Sequence, residues 1–254
     1  MTAEIDSPQR DFHWVAHRGY SGRYPENSRA SFLAAVRAGA NNIELDIQLT
    51  RDLVPVLLHD SELARQCNEQ GLIQDLTLAE ALRLDMGHRE AFGDRFRGTR
   101  LLTLREFVNF IEDYSNVSLF VEIKEGSILR FGEELVIDRA LPLLRPILGR
   151  CTIISFVADV VREIRRRFHL PVGWCVTEWS EAQGLIAEAL NPEFVIADHH
   201  LLPASNDALW PGNWNWMLYV INEAALVRKY LERGFKYFET DMIGDLKPLF
   251  SNSS

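Results

Sequence analysis

The chain has 254 residues, of which 47% are apolar, so it can bury a full core as one large α/β barrel or as two smaller domains. Its formal net charge of −9 argues against a surface that binds nucleic acid or an anionic membrane. The amino-terminal residues lack the basic and apolar runs of a signal peptide, and no segment approaches the roughly 18 apolar residues of a membrane-spanning helix, so we expect a soluble cytoplasmic protein without a membrane anchor.

The cysteines fit the same expectation. Cys67, Cys151 and Cys175 are odd in number and show no close metal-type spacing, which favours free thiols in a reducing compartment. Cys151 and Cys175 lie in apolar runs that resemble strands. We therefore predict that both are core residues and not catalytic ones.

Short apolar strands alternate with amphipathic helices along the chain, a pattern typical of a parallel sheet wrapped by helices. Nine strands are predicted, at 14–17, 43–49, 54–59, 118–124, 151–156, 172–176, 194–198, 216–222 and 235–240. Six helices are predicted between them, at 26–38, 104–114, 133–148, 158–168, 180–190 and 223–234. The order indicates an α/β fold of the TIM-type (β/α)8 barrel kind.

Nine strands are one too many for such a barrel. Segments 43–49 and 54–59 have only a turn between them, so we expect a hairpin extension there and a slightly irregular barrel. Residues 61–103, with a helix signal at 77–84, are predicted to be a small insertion after the third strand. No linker interrupts the chain, which predicts a single domain over 1–254 with a frayed tail at 251–254.

Polar residues interrupt the first four predicted strands near their carboxyl ends. In a barrel of this type the active site is built at that end of the strands. The residues are His17 and Arg18, Glu44 and Asp46, His59, and Glu122 and Lys124. We therefore expect these side chains to converge on one site.

The acids of this set are the most unusual, because Glu44 and Asp46 share one face of an apolar strand. Two like charges so close repel unless they face water, share a proton or bind a cation. With Glu122 they offer only carboxylate oxygen, which suits Mg²⁺ or Ca²⁺ better than zinc. A simple ion pair of Glu44 with Arg18 or Lys124 is the alternative.

Arg18 and Lys124 add positive charge, which a metal and carboxylate site needs when its ligand is itself anionic, as a phosphate is. His17 and His59 can remove and return a proton near neutral pH, although a single histidine at a strand end is also an ordinary polar residue. The other histidines show no comparable context and are predicted to be structural or exposed: His13, His88, His169, His199 and His200.

Residues 17–60 read HRGYSGRYPENSRASFLAAVRAGANNIELDIQLTRDLVPVLLHD. This segment resembles the glycerophosphodiester phosphodiesterase family of the PLC-like phosphodiesterase superfamily, whose hallmarks are His-Arg-Gly, Pro-Glu-Asn-Ser or Thr, Glu-x-Asp and His-Asp. The similarity continues through LTLREF, VEIK, SF and FETD, so that it spans nearly all of 13–245. It implies a TIM-type barrel that hydrolyses glycerophosphodiesters to sn-glycerol 3-phosphate and an alcohol.

The resemblance also implies roles for single residues. It implies metal binding by Glu44, Asp46 and Glu122, acid and base roles for His17 and His59, and phosphate contact from Arg18 and Lys124. It leaves open which histidine is the acid. No Ser or Cys stands beside a base in the polar cluster. The neighbouring glycerol hydroxyl is the expected nucleophile, through a cyclic phosphate, and direct attack by water is the alternative.

Some positions depart from the family pattern or allow a second interpretation. YVIN at 219–222 stands where the family usually has Trp-Thr-Val-Asn, so Tyr219 is predicted to shape the substrate pocket. Ser28 is expected to cap the first helix, and Glu26 and Asn27 to steady the loop of His17.

Two other functions were weighed against the hydrolysis of small glycerophosphodiesters. Lysophospholipase D activity is the alternative, which would hold if the aromatic run at 210–219 lines an acyl groove. Packing of this run in the core and loops is the other interpretation. A non-catalytic barrel that binds a phosphate ligand is less favoured, since both histidines and all three acids are present.

Overall fold

The computed structural model describes residues 12–250 of the chain. Nine strands lie within this range and follow the predicted order, with most ends within two residues of the prediction. They are β1 His13–Ala16, β2 Asn42–Leu49, β3 Pro55–Leu57, β4 Ser118–Ile123, β5 Cys151–Ser155, β6 Val172–Val176, β7 Phe194–Asp198, β8 Asn215–Tyr219 and β9 Tyr237–Thr240. The predicted strand 216–222 runs too far, because β8 ends at Tyr219.

Eight of these strands form a closed parallel barrel. Each of β4 to β9 pairs in parallel with its neighbours, and β1 closes the ring by pairing with both β9 and β2. The ninth strand, β3, runs antiparallel to β2, with Ile47 opposite Leu57. The TIM-type barrel and its hairpin extension are therefore confirmed.

The helices surround the barrel. They are α1 Arg29–Arg37, α2 Ala64–Cys67, α3 Leu78–Ala81, α4 Arg89–Phe92, α5 Leu104–Ile111, α6 Glu125–Phe131, α7 Glu133–Leu144, α8 Ala158–Phe168, α9 Glu181–Leu190, α10 Ala224–Glu232 and α11 Ile243–Leu246. Ser28 caps α1 as predicted, since its side chain accepts a hydrogen bond from the backbone N of Ser31 at 3.1 Å. The predicted helix 133–148 is too long, because α7 ends at Leu144 and the chain continues as a 3-10 turn over Arg145–Arg150.

The main core lies between the outer faces of the strands and the helices. A second, smaller cluster fills the inside of the barrel, where alternate strand residues point inward: Val15, Phe120, Ile154, Cys175, Ile196 and Met217. Cys151 and Cys175 are both buried and both free, so they are core residues as expected.

Residues 61–103 form short helices over a hydrophobic cluster that they share with Val56 and Leu58. It contains Val56, Leu58, Leu63, Ile73, Ala81, Met86 and Leu101. The helix signal at 77–84 corresponds to α3, capped by Thr77. The amino-terminal segment and the tail at 251–254 lie outside the described residues, and the single-domain organisation stays a prediction. Within 12–250 no helix has the length and hydrophobicity to cross a membrane.

Candidate active site

A cavity of about 140 Å³ opens at the carboxyl ends of the barrel strands. Six of the eight predicted site residues line it: His17, Arg18, Glu44, His59, Glu122 and Tyr219. The other two lie directly beside them, because Nζ of Lys124 is 2.8 Å from Oε1 of Glu122 and 3.4 Å from Oδ1 of Asp46. The fold thus brings together all the side chains that the sequence singled out.

The three acids meet because of strand register. Glu44 and Asp46 lie on the inward face of β2, and Asp46 is paired in register with Glu122 on the neighbouring β4. One carboxylate oxygen from each residue lies within 4.8 Å of those from the other two. All three side chains are buried, with Asp46 only 1% exposed. Such a set of converging hard oxygens can hold a divalent cation.

Burial of so much negative charge shifts the pKa values of the acids. Burial and the charge of Asp46 raise the pKa of Glu44 well above that of an ordinary glutamate. Burial also raises the pKa of Glu122, although the charge of Lys124 opposes it. At Asp46 burial is outweighed by the positive charges of Lys124 and Arg18, which hold the pKa of this carboxyl well below its usual range.

The two cationic side chains, Arg18 and Lys124, do not form an ion pair with every acid of the site. Nε of Arg18 lies 3.2 Å from Oδ2 of Asp46, and its Nη1 donates to Glu26 at 3.1 Å. Glu44 bonds neither cationic side chain, as its Oε2 accepts from the backbone N of Arg18 at 3.0 Å. Oε1 of Glu44 is buried and has no hydrogen-bond partner in residues 12–250. The simple ion-pair interpretation therefore fails for Glu44.

Each predicted catalytic histidine has a carboxylate partner. Nδ1 of His17 lies 2.7 Å from Oδ1 of Asp241, and Nδ1 of His59 lies 2.6 Å from Oδ1 of Asp60. Although burial opposes ionisation, hydrogen bonds hold the pKa of both aspartates well below the usual range, so the carboxylates accept and the Nδ1 atoms donate. Nε2 of each ring then remains for chemistry. Burial and the neighbouring Arg18 lower the pKa of His17, which keeps it neutral at pH 7.

Several side chains that support the site were not singled out from the sequence. Besides the two aspartates, Asn222 donates to Asp241 at 2.8 Å, and buried Glu239 lines the cavity with an oxygen within 4.8 Å of the ligand atoms of Glu44 and His17. The signals that could have found them are the Asp of the His-Asp pair and the FETD motif. Asn27 steadies the His17 loop as expected, since its backbone N donates to the backbone O of Arg18 at 3.1 Å, and its side chain also donates to Asp46 at 2.7 Å.

The aromatic residues around the site divide into two groups. Tyr219 lines the cavity as predicted, together with Phe156. Trp210 stacks instead on Trp179 at 4.2 Å between ring centroids, and no tryptophan of the run 210–219 lines this cavity. This placement supports packing and not an acyl groove for that run.

None of the five remaining histidines lines the cavity either, in keeping with their prediction as structural or exposed residues. His13 stacks on Tyr237 at the opposite end of the barrel strands. His199 and His200 lie beside Asp198, with ligand atoms of all three within 4.8 Å of one another.

Comparison with known proteins assigns the chain to a family. Residues 17–244 match the model of the glycerophosphoryl diester phosphodiesterase family. The chain belongs to this family. It is also 36% identical over 184 residues to a glycerophosphodiester phosphodiesterase of Caldanaerobacter subterraneus subsp. tengcongensis, a match covering 70% of this chain and 74% of the relative.

Solved structures of the glycerophosphodiester phosphodiesterase type share the fold. A phosphodiesterase of Oleispira antarctica, in complex with the product sn-glycerol-3-phosphate, superposes with a TM-score of 0.83 at 24% identity, covering 94% of this chain and 97% of the other. The Thermotoga maritima glycerophosphodiester phosphodiesterase gives 0.71 at 22% identity, covering 94% and 98%. These structures confirm the fold, whereas the family match over 17–244 and the 36% identical relative confirm family membership and the predicted enzyme class, a phosphoric diester hydrolase.

Proposed function

We propose that this member of the glycerophosphodiester phosphodiesterase family hydrolyses a small glycerophosphodiester to sn-glycerol 3-phosphate and an alcohol, with the help of Mg²⁺ or Ca²⁺. The observation that carries the proposal is the convergence of three buried carboxylates and two aspartate-paired histidines on one small cavity. The family match supports the reaction class, and the Oleispira antarctica neighbour was solved with sn-glycerol-3-phosphate.

The residues of the site fit a divalent cation. The donor set is all carboxylate oxygen, and Oε1 of Glu44 is buried without a hydrogen-bond partner among the described residues. Burial, together with the repulsion between these acids, raises the pKa of Glu44 and Glu122, and a cation held by Glu44, Asp46 and Glu122 would offset the repulsion. When bound, it would supply Lewis-acid stabilisation of the phosphoryl oxygens and lower the pKa of a hydroxyl. Arg18 and Lys124 would supply the positive charge that attracts a phosphate.

The two histidines divide the proton transfers between them. His17 is the better candidate for the base, because its lowered pKa leaves it neutral and its Nε2 is free to accept a proton. His59 then delivers a proton to the oxygen of the departing alcohol. Asp241 and Asp60 orient the rings and fix the tautomers through the bonds at Nδ1.

The nucleophile is the hydroxyl of the substrate next to the phosphoester. Cys175 is the one cysteine that lines the cavity, but burial and the nearby Glu122 and Glu239 raise the pKa of its thiol well above the usual value, so it is a poor nucleophile. The hydroxyl oxygen attacks phosphorus, the base takes its proton, and the alcohol leaves with the proton of the acid. Water then opens the cyclic phosphate by the reverse transfers.

Removal of divalent cations is the experiment that tests this proposal. We expect excess chelator to reduce the hydrolysis of glycerophosphocholine to background, and readdition of Mg²⁺, Ca²⁺ or Mn²⁺ to restore it. Calorimetry of the chelated protein is expected to show one binding event that does not require substrate. Undiminished turnover in chelator would contradict metal dependence.

The cyclic route makes a separate prediction about the substrate. A glycerophosphodiester that lacks the 2-hydroxyl keeps its phosphate contacts, so it should bind, but we expect kcat to fall by about 10²-fold or more because the internal nucleophile is gone. Turnover of the 2-deoxy compound is compared with its parent at saturating concentration. Equal rates would mean that water attacks phosphorus directly.

A further inference from the structure

Arg65 of α2 is a side chain of the insertion that reaches toward the active site. Its Nη1 and Nη2 donate to the two carboxylate oxygens of Glu26 at 2.8 Å and 2.7 Å, and its Nε donates to Oδ2 of Asp60. The guanidinium therefore makes a bidentate contact with Glu26 through Nη1 and Nη2, and its Nε binds a second carboxylate, that of Asp60. None of these three residues lines the cavity, so Arg65 acts only through its partners.

Each partner of Arg65 leads to a residue that does line the cavity. The other oxygen of Asp60 accepts from Nδ1 of His59 at 2.6 Å, and Glu26 accepts from Nη1 of Arg18 at 3.1 Å. The result is a hydrogen-bonded network of alternating charge that runs from His59 through Asp60, Arg65 and Glu26 to Arg18. It is the link between the proposed acid/base histidine and the proposed phosphate-binding arginine.

Because Glu26 is buried, the hydrogen-bonded network depends on Arg65. The side chain of Glu26 is only 8% exposed, and although burial opposes its ionisation, the hydrogen bonds of Arg65 and the charge of Arg18 lower its pKa. A buried carboxylate of this kind is costly when a partner is removed. A second residue of α2, Gln66, donates to the backbone O of residue 26 at 3.2 Å, so the helix holds Glu26 at two points.

We propose that Arg65 is a positioning residue that holds His59 and Arg18 in fixed relation through Asp60 and Glu26. The inference rests on the proposed function, since it assumes that these two residues serve the reaction. The inference also gives the insertion a role, because the insertion carries Arg65, which stabilises the site without lining the cavity. An arginine is required, because a lysine keeps the charge but cannot present a fork to one carboxylate and an Nε to another.

The test compares Arg65→Gln and Arg65→Lys with Arg89→Gln. Arg89 is a matched control, because it lies on α4 of the same insertion and pairs with Asp94 at 3.0 Å, away from the cavity. Four properties are measured for each: kcat and KM for glycerophosphocholine, the melting temperature, and the imidazole NMR resonances of His59 without substrate, assigned with His59→Ala.

Both Arg65 variants are expected to lose the hydrogen-bonded Nδ1–H signal of His59, to lower kcat by about tenfold or more and to raise KM. The rise in KM reports on Arg18, and the fall in kcat reports on His59. Arg89→Gln should leave kcat, KM and the NMR signal of His59 unchanged. If Arg65→Gln matches Arg89→Gln in kcat, KM and spectrum while His59→Ala is inactive, the inference is overturned. If His59→Ala itself keeps its activity, the proposed function fails, which is a different result.

Discussion

Replacement of either catalytic histidine candidate by alanine is expected to reduce kcat by about 10²- to 10⁴-fold, the usual contribution of a positioned acid or base. His17→Ala removes the neutral imidazole that faces the cavity, and His59→Ala removes the proton donor for the leaving alcohol. Substrate affinity should change much less, because Arg18 and Lys124 remain. Steady-state kinetics with saturating cation measures both quantities.

The control for this pair is His200→Ala. The His200 side chain is 78% exposed and pairs with Asp198 outside the cavity, so this variant should keep its kcat. Activity of His17→Ala or His59→Ala within threefold of the parent, about 0.7 kcal/mol in barrier, would remove that residue from the mechanism.

The pH dependence of kcat/KM is a second test of the role of His17. Burial and Arg18 lower the pKa of His17 from its ordinary 6.5, so its neutral, base-competent form persists below pH 6.5. We expect kcat/KM to fall with acid only below that value when cation is saturating. The sign follows because protonation, favoured at low pH, removes the base.

Asp46→Asn is expected to have the largest effect on cation binding. Asp46 supplies an anionic oxygen to the acidic set and is also the counter-ion of both Arg18 and Lys124, at 3.2 Å and 3.4 Å. The change removes one anionic ligand and leaves two largely buried cations without this partner, so their repulsion opposes the incoming ion. We expect cation affinity to fall at least tenfold, or about 1.4 kcal/mol.

The same substitution should lower stability, since breaking a buried ion pair costs about 3–5 kcal/mol. Titration calorimetry well below the measured melting temperature separates the two effects. Asp75→Asn is the control, because Asp75 pairs with Arg130 at 3.4 Å, does not line the cavity and belongs to no cluster of potential metal ligands among the described residues. Cation affinity in Asp46→Asn equal to that in Asp75→Asn would mean that the ion binds elsewhere.

The sequence determined the parts of this protein that depend on local periodicity. Alternating apolar strands and amphipathic helices indicated a TIM-type barrel, and the short turn between 43–49 and 54–59 indicated its extra hairpin. Since parallel strands place their carboxyl ends at one face, polar residues at those ends could be assigned to one site before any contact was known. The ordered motifs of 17–60 added the family, which the match over 17–244 confirmed.

Only the tertiary structure decided the partners that lie far apart along the chain. That Asp241 supports His17 depends on the closure of β9 against β1, a contact between residues 224 positions apart. Glu239 faces the same cavity for the same reason, and Arg65 reaches Glu26 because the insertion folds back across the first loop. Such pairings follow from chain closure and side-chain direction in three dimensions, and local residue spacing carries no information about either.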